Sequence, residues 1–207
     1  MNHFEIDTVI DGGANKGQWI DMVRKDYLKA AYIVIEPIPE HLKEVREKYF
    51  GKENLEFFEI ALSSRPGTSR LNLASNNGAS SSLQQPRAIL KTLPQIKFMD
   101  SIIVKTETLN NLRNWDESKS IYLKLDLQGH EFEALIGASK LLKKIKIIEI
   151  ESSFSPLYED EIPFHKIFEF LTDSGFEHYQ SSPARIDLNG KQWDFNSFFI
   201  SGGYNKI

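Results

Sequence analysis

DTVIDGGANKGQW, residues 7–19, decides how the rest of the chain is read. The apolar pair Val9-Ile10 leads into an acid, Asp11, and then into Gly12, Gly13, Ala14, Asn15, Lys16 and Gly17. A helical pattern opens directly afterwards. Strand, glycine turn and helix start, in this order, mark the place where open α/β sheets bind nucleotide-like ligands. Glycines let the chain turn sharply and let a ligand approach the backbone with no Cβ between them. The helix start is expected to present free N–H groups to a carboxylate or phosphate.

The spacing narrows the ligand. A dinucleotide fingerprint needs G-x-G-x-x-G, and Ala14 stands where its second glycine would be, counted from Gly12. A phosphate-binding Walker loop needs Lys and then Ser or Thr, whereas Gln18 and Trp19 follow Gly17. A second acid, Glu36, closes the next apolar run, Tyr32 to Ile35. An acid at the end of a second strand can accept both hydrogen bonds of a ribose diol. A ribose without a pyrophosphate points to S-adenosylmethionine. The bland alternative is a tight turn at Gly12-Gly13 and a solvated strand end at Glu36.

The bulk properties suit a single domain over residues 1–207. With 41% hydrophobic and 26% charged residues the composition is that of an ordinary globular chain. A net charge of −4 supplies no attraction for nucleic acid or an anionic membrane. The absence of cysteine excludes disulfides and thiolate metal sites. The N-terminal MNHFEIDTVID carries no basic and apolar leader, and no apolar run reaches membrane-spanning length, so a cytoplasmic location is expected.

Along the chain, Trp19, Ile20, Val23, Tyr27 and Leu28 predict a helix over 17–29. A strand over 32–35, a helix over 39–49 and a strand over 55–61 follow, and three βα steps this close argue for a parallel sheet with right-handed crossovers. Residues 69–73 alternate like an edge strand. Asn76 to Gln85, NNGASSSLQQ, is either a flexible surface loop or a wall or lid over the site. Residues 86–99 carry no clear pattern. A short strand is expected over 101–104, and a short helix over 108–115 capped by Thr108.

The second informative stretch is IYLKLDLQGHEFEALIG, residues 121–137. Ile121, Leu123 and Leu125 alternate with Tyr122 and Lys124, and Asp126 ends the strand. That places Asp126 at the carboxyl edge of a central strand, where ligands sit. Gly129 breaks the strand and a helix begins near Glu131. The strand over 146–151 ends in Glu149 and Glu151, which share one face; a carboxylate near a sulfonium would be favourable. Phe154, Leu157 and Tyr158 either line an acceptor pocket or pack. A helix over 163–171 has an apolar stripe. Strands over 176–179 and 197–201, joined by a polar turn at 187–190, suggest an antiparallel hairpin closing the sheet.

These segments together resemble the FkbM family of S-adenosylmethionine-dependent methyltransferases. The resemblance runs from about Ile6 to Ile200. It is carried by IDGGANKGQ (10–18), IEPIPEHL (35–42), EIALSSRPGTSRL (59–71), GASSSL (78–83), VKTETLNNL (104–112), LKLDLQGHEFEALIGA (123–138) and IEIESSFSPLYEDE (148–161). It implies a class I methyltransferase (Rossmann-like) α/β fold. That fold has a seven-stranded, mostly parallel sheet with an antiparallel last strand and helices on both faces. It further implies that Asp11, Gly12, Gly13, Ala14, Asn15 and Gly17 hold the methionine part of the cofactor and Glu36 the ribose hydroxyls. Ala61 and Leu62 would border the adenine, and Asp126 would lie beside the methionine amine and the reacting methyl. Two departures stand out: Ala14-Asn15 interrupts the glycine pattern of other methyltransferases, and little chain precedes the first strand to cover an acceptor.

The reaction expected from the resemblance is O-methylation of a carbohydrate or small-molecule hydroxyl. The protein must then place the acceptor in line and remove its proton. Asp126, His130 and Glu151 are the candidate catalytic groups, and His130 has the unperturbed pKa nearest neutrality. A His beside a glycine at a helix start also serves as a capping or surface residue. Asp126, Glu131, Glu149 and Glu151 are oxygen ligands, but no spacing demands a metal. Two other readings are a nicotinamide-dependent oxidoreductase, which the missing G-x-G-x-x-G opposes, and a methyltransferase fold that binds without catalysis.

Overall fold

The computed structural model describes residues 4–116, 119–186 and 190–202. In chain order the elements are β1 (Thr8–Gly12), α1 (Gln18–Val23), β2 (Ala31–Ile35), α2 (Pro39–Lys48), β3 (Leu55–Phe58), β4 (Ala61–Leu62) and β5 (Gly67–Ala74). Then come α3 (Ile89–Thr92), β6 (Phe98–Glu107), β7 (Ile121–Leu125), α4 (Glu131–Gly137) and β8 (Ile145–Ser153). The chain closes with α5 (Phe164–Asp173), β9 (Phe176–Ser181), β10 (Arg185–Ile186) and β11 (Gln192–Ser201).

The main sheet has the order β3-β2-β1-β7-β8-β11, with β9 and β10 both pairing with β11. Five neighbours, β3 to β8, run parallel, and β11 lies antiparallel to both β8 and β9. This is the expected sheet with its antiparallel last strand, extended by the two-residue β10. The reversal of strand order falls between β1 and β7, which opens a crevice at their carboxyl ends.

Alternation along the central strands sends side chains to two cores. Val9, Tyr32, Val34, Tyr122 and Ile147 face Ile20 and Val23 of α1 and Leu42 and Val45 of α2. Ile10, Ile33, Ile35, Leu123, Leu125, Ile148 and Ile150 face Ala134 and Leu135 of α4 and Ile167 and Leu171 of α5. Both faces of β7 are therefore covered, and all five of its residues are buried, including Lys124.

Several expected elements differ. The strand over 55–61 stops at Phe58; Ala61 and Leu62 leave the main sheet and join β6 in a second sheet of order β4-β6-β5. The strand over 101–104 is the middle of the ten-residue β6, which pairs along its length with β5. The helix over 108–115 does not form. Its backbone goes elsewhere: the Asn110 N–H donates to Gly137 and the Trp115 indole N–H takes the Leu109 carbonyl, at 2.9 and 2.8 Å. The first helix ends at Val23 rather than near Lys29, because the next N–H groups reach back only three residues, Lys25 to Met22 and Asp26 to Val23. Most of the polar turn over 187–190 lies outside the described residues.

Candidate active site

The glycine turn is built by left-handed backbone. Gly13, Asn15 and Gly17 have φ of 78°, 47° and 76°. A Cβ on Gly13 would stand 2.0 Å from the carbonyl oxygen of Asp126, so the first and fourth parallel strands can meet only at glycine. The N–H groups of this turn are already engaged. Gly13 and Ala14 donate to the Ile35 carbonyl, Asn15 to Glu36, Lys16 to the Asn15 and Gln18 side chains, and Gly17 to Ala14. The donors over 13–17 are consumed in fastening the turn to β2 and to itself. The expected display of free donors falls on the helix start proper, Gln18 to Ile20, whose N–H groups have no intrahelical acceptor.

Beneath the turn, neighbouring strands set three ionisable side chains in a row. Asp11 of β1 pairs in register with Lys124 of β7, and Lys124 with Glu149 of β8. Lys124 Nζ lies 3.0 Å from Asp11 Oδ1 and donates to the Gly13 carbonyl at 2.9 Å. The approach to Asp11 is off the line of a good hydrogen bond, so its compensation is Coulombic. Burial pushes the Asp11 carboxyl above its ordinary pKa against the pull of Lys124. Burial opposes the Lys124 charge as well, but Asp11 and Asp126 outweigh it and hold the ammonium above its ordinary value. Glu149 accepts from the Trp19 indole at 2.9 Å, the Tyr122 hydroxyl at 2.7 Å and the Asn196 amide at 3.0 Å. Trp19 meets Tyr122 edge to face at 5.4 Å and covers the row from α1.

A cavity of about 370 Å³ opens above the turn. It is lined by Glu36 with Pro37 and Ile38, by Ile60, Ala61 and Leu62, and by Asp126, Gln128 and Asn196. Glu36 accepts from the Asn15 N–H at 2.8 Å on one oxygen and from the Ile38 N–H at 2.9 Å on the other. Each oxygen keeps a second lone pair for a ligand hydroxyl. Burial raises its pKa to about 7. The segment over 76–85 is a wall of this cavity through Gly78, Ala79, Ser81 and Leu83. The Ser82 hydroxyl donates to the Gln128 carbonyl at 2.6 Å, and the Tyr158 hydroxyl lies 3.0 Å from the Ser80 carbonyl.

Around Asp126, the turn after β7 is held by Glu131, whose carboxylate accepts from the Leu127 and Gly129 N–H groups. Gln128 takes the left-handed φ of 54°, rare for a residue with a Cβ. Its amide donates to Asp126 at 2.8 Å and to Glu151, while its oxygen faces the Tyr158 hydroxyl at 3.0 Å. Glu151 also receives Arg185, which pairs with Asp194 as well. Burial, reinforced by Asp126, drives the Glu151 carboxyl well above the usual range. His130 sits between the Ser63 hydroxyl, 3.1 Å from Nε2, and the Gln84 amide, 3.3 Å from Nδ1. Burial lowers its pKa to about 4, so the imidazole is neutral at physiological pH.

The structure thus gathers Gly13, Ala14, Asn15, Glu36, Ala61, Leu62, Asp126 and His130 around one cavity. Asp11 and Gly12 lie beneath it, Gly17 turns the chain into α1 against Val45, and Glu151 stands behind the Gln128 amide. Leu157 and Tyr158 pack against Ile89, while Phe154 is exposed and stacks on Phe195. Lys124, Gln128, Asn196 and Trp19 were not singled out from sequence. Lys124 and Gln128 lie inside the segment 123–138, but a Lys in an alternating strand reads as a solvent-facing residue. Among the described residues no three His, Asp or Glu side chains are grouped to hold a metal ion, and no helix is long and apolar enough to cross a membrane.

Comparison with known proteins identifies the family. The family described as the methyltransferase FkbM domain matches residues 11–178. A curated relative, 2-O-methyltransferase NoeI of Sinorhizobium fredii, is 28% identical over 188 residues, covering 86% of this chain and 76% of the relative. Among solved structures, a SAM dependent methyltransferase from Aquifex aeolicus aligns with a TM-score of 0.48 at 16% identity, over 93% of this chain and 81% of that one. Magnesium protoporphyrin IX methyltransferase from Synechocystis, with bound SAM, aligns at 0.49 and 12% identity over 94% and 69%.

Proposed function

This chain belongs to the FkbM methyltransferase family, and from that premise we propose that it methylates a hydroxyl oxygen of a carbohydrate or other small-molecule acceptor, using S-adenosylmethionine. The observation that carries the cofactor is the cavity itself, lined by both strand-end acids, Glu36 and Asp126. Glu36 has the free lone pairs a ribose diol needs. The Gly13 backbone comes so close to Asp126 that a ligand can lie across both strand ends. Ala61 and Leu62 offer an apolar flank to an adenine, and Asp126 offers a carboxylate to the methionine ammonium. The relative named a 2-O-methyltransferase supports an oxygen acceptor.

S-adenosylmethionine, when bound, supplies a methyl on a sulfonium sulfur, which leaves as a neutral thioether. The chain's own part is to hold an acceptor oxygen in line and to take its proton. Asp126 lines the cavity and is the group in place to take that proton. Glu151 stands outside the lining, with one oxygen on the Gln128 amide and the other on Arg185, and positions Asp126 through Gln128. His130 fits the proton-accepting role less well, because its nitrogens face Gln84 and Ser63 and its pKa of about 4 makes it a weak base. Its place is in the cavity wall beside Ser63.

Calorimetric titration with S-adenosylmethionine and S-adenosylhomocysteine, on wild type and on Glu36→Ala, tests the cofactor. Binding by wild type that weakens about a hundredfold in the variant is expected, the size of two hydrogen bonds to a charged group. No binding by wild type overturns the reading. The acceptor is then sought among sugars and other hydroxyl compounds by the mass of one added methyl, with Glu151→Gln expected to keep cofactor affinity and to lower turnover by loosening Gln128 and Asp126.

A further inference from the structure

We infer that the buried Lys124 ammonium receives the carboxylate of the cofactor's methionine end, opposite Asp126, which receives its ammonium. The inference rests on the cofactor reading above and names the residue that completes it.

The methionine end is a zwitterion, and its carboxylate must find a donor. Within the turn every N–H from Gly13 to Gly17 already has an acceptor in the protein, so the backbone donors left are those at the start of α1, which carry no full charge. The turn's own cation does not provide one, because Lys16 extends to Glu44 at 3.0 Å. Among the residues that line the cavity, Lys124 is the one permanent cation; His130 is neutral. Its side chain is 7% exposed, so the charge cannot be satisfied by bulk water. An ammonium has three N–H donors. Gly13 takes one at 2.9 Å and Asp11 lies beside another at 3.0 Å. The next carboxylate, Asp126, is 3.8 Å away, beyond hydrogen-bond reach. Lys124 and Asp126 thus present opposite charges side by side at the cavity wall, the mirror of the two charges on one α-amino acid. Asn196, whose amide holds Glu149 with one N–H, lines the same cavity and keeps its other N–H free among the described residues.

A ligand pair separates this role from simple support of the turn. S-adenosylmethionine and its decarboxylated form differ only in the carboxylate. Wild type is expected to bind the former about tenfold or more tightly, the size of one charge-assisted hydrogen bond. In Lys124→Met that preference is expected to collapse to near unity, and in Lys124→Arg to persist in part. Should Lys124→Met weaken both ligands by the same factor, Lys124 only positions the turn and the inference is overturned. A wild type that does not distinguish the two ligands overturns it as well. A wild type that binds neither overturns the cofactor reading beneath it, which is a different result. Because Lys124→Met leaves Asp11 buried alone, the double variant Asp11→Asn/Lys124→Met, neutral at both positions, carries the same comparison if the single variant does not fold.

Discussion

At the scale of single residues, Glu36 and Gly13 make the sharpest claims. Under the proposed function Glu36 meets a ribose as a carboxylate, and its pKa in the free protein is about 7 because burial outweighs its two backbone donors and the nearby Lys124. His41, 3.9 Å away, is held below its usual pKa by burial and does not supply a compensating charge near neutrality. The sign follows: at pH 6 most of the free protein must lose a proton before the diol is bound, and at pH 8 little of it must. Affinity for S-adenosylmethionine is therefore expected to rise about tenfold from pH 6 to pH 8 by titration, and to lose this slope in Glu36→Gln. Gly13→Ala meets two obstacles at once, a left-handed φ and a Cβ 2.0 Å from the Asp126 carbonyl oxygen. It is expected to lose more than about 2 kcal/mol of stability in urea melts and to bind no cofactor.

At the scale of elements, what could be read from sequence follows how locally each element is determined. β1, β2, β7 and β8 are short apolar runs ending in an acid or glycine, and they stand where the pattern puts them. α2 and α5 have an apolar stripe and a proline start, and they hold to within two residues at either end. The expected helix over 108–115 stops at one turn: the Thr108 hydroxyl does accept from the Asn111 N–H at 3.2 Å, but the Asn110 N–H is taken by Gly137 of α4, a partner no local pattern contains. β6 was seen only in part because Met99 and Ile103 are exposed and blur its alternation. In the site, the glycine turn, Glu36 and Asp126 were legible as strand ends. Lys124 and Gln128 were not, since the role of each depends on a neighbouring strand or loop. The packing of α4 on the end of β4 depends on a similar contact. Gly137 is helical, and a Cβ there would stand 2.1 Å from the Ser63 carbonyl oxygen. Helix propensity favours Gly137→Ala by about 1 kcal/mol, whereas forcing the two elements apart costs about 1–3 kcal/mol. The clash is expected to win, with a lowered melting temperature; a raised one would refute this packing.

For the whole molecule, charge is concentrated where the chain can least solvate it. Asp11, Glu36, Glu131, Glu149, Glu151 and Asp194 all have pKa values raised by burial, those of Glu36 and Glu131 to about 7 and 8. Such carboxyls keep their protons in the folded state after the unfolded chain has released them, so stability falls as pH rises through the interval between the two values. Melting of the free protein is expected at a lower temperature at pH 8 than at pH 6, the opposite slope to that of cofactor affinity. Saturating ligand, at a hundred times its Kd, adds about 2.7 kcal/mol. The wall over 76–85 adds something to this balance. It is latched to the floor by Ser82 on the Gln128 carbonyl and by Tyr158 on the Ser80 carbonyl, and the same Gln128 spans Asp126 and Glu151. Under the proposed function, unlatching the wall would loosen the two carboxylates as well, so cofactor exchange and alignment for the reaction could not be set independently. Evolution toward faster exchange would blunt the reaction, and tighter alignment would slow the exit.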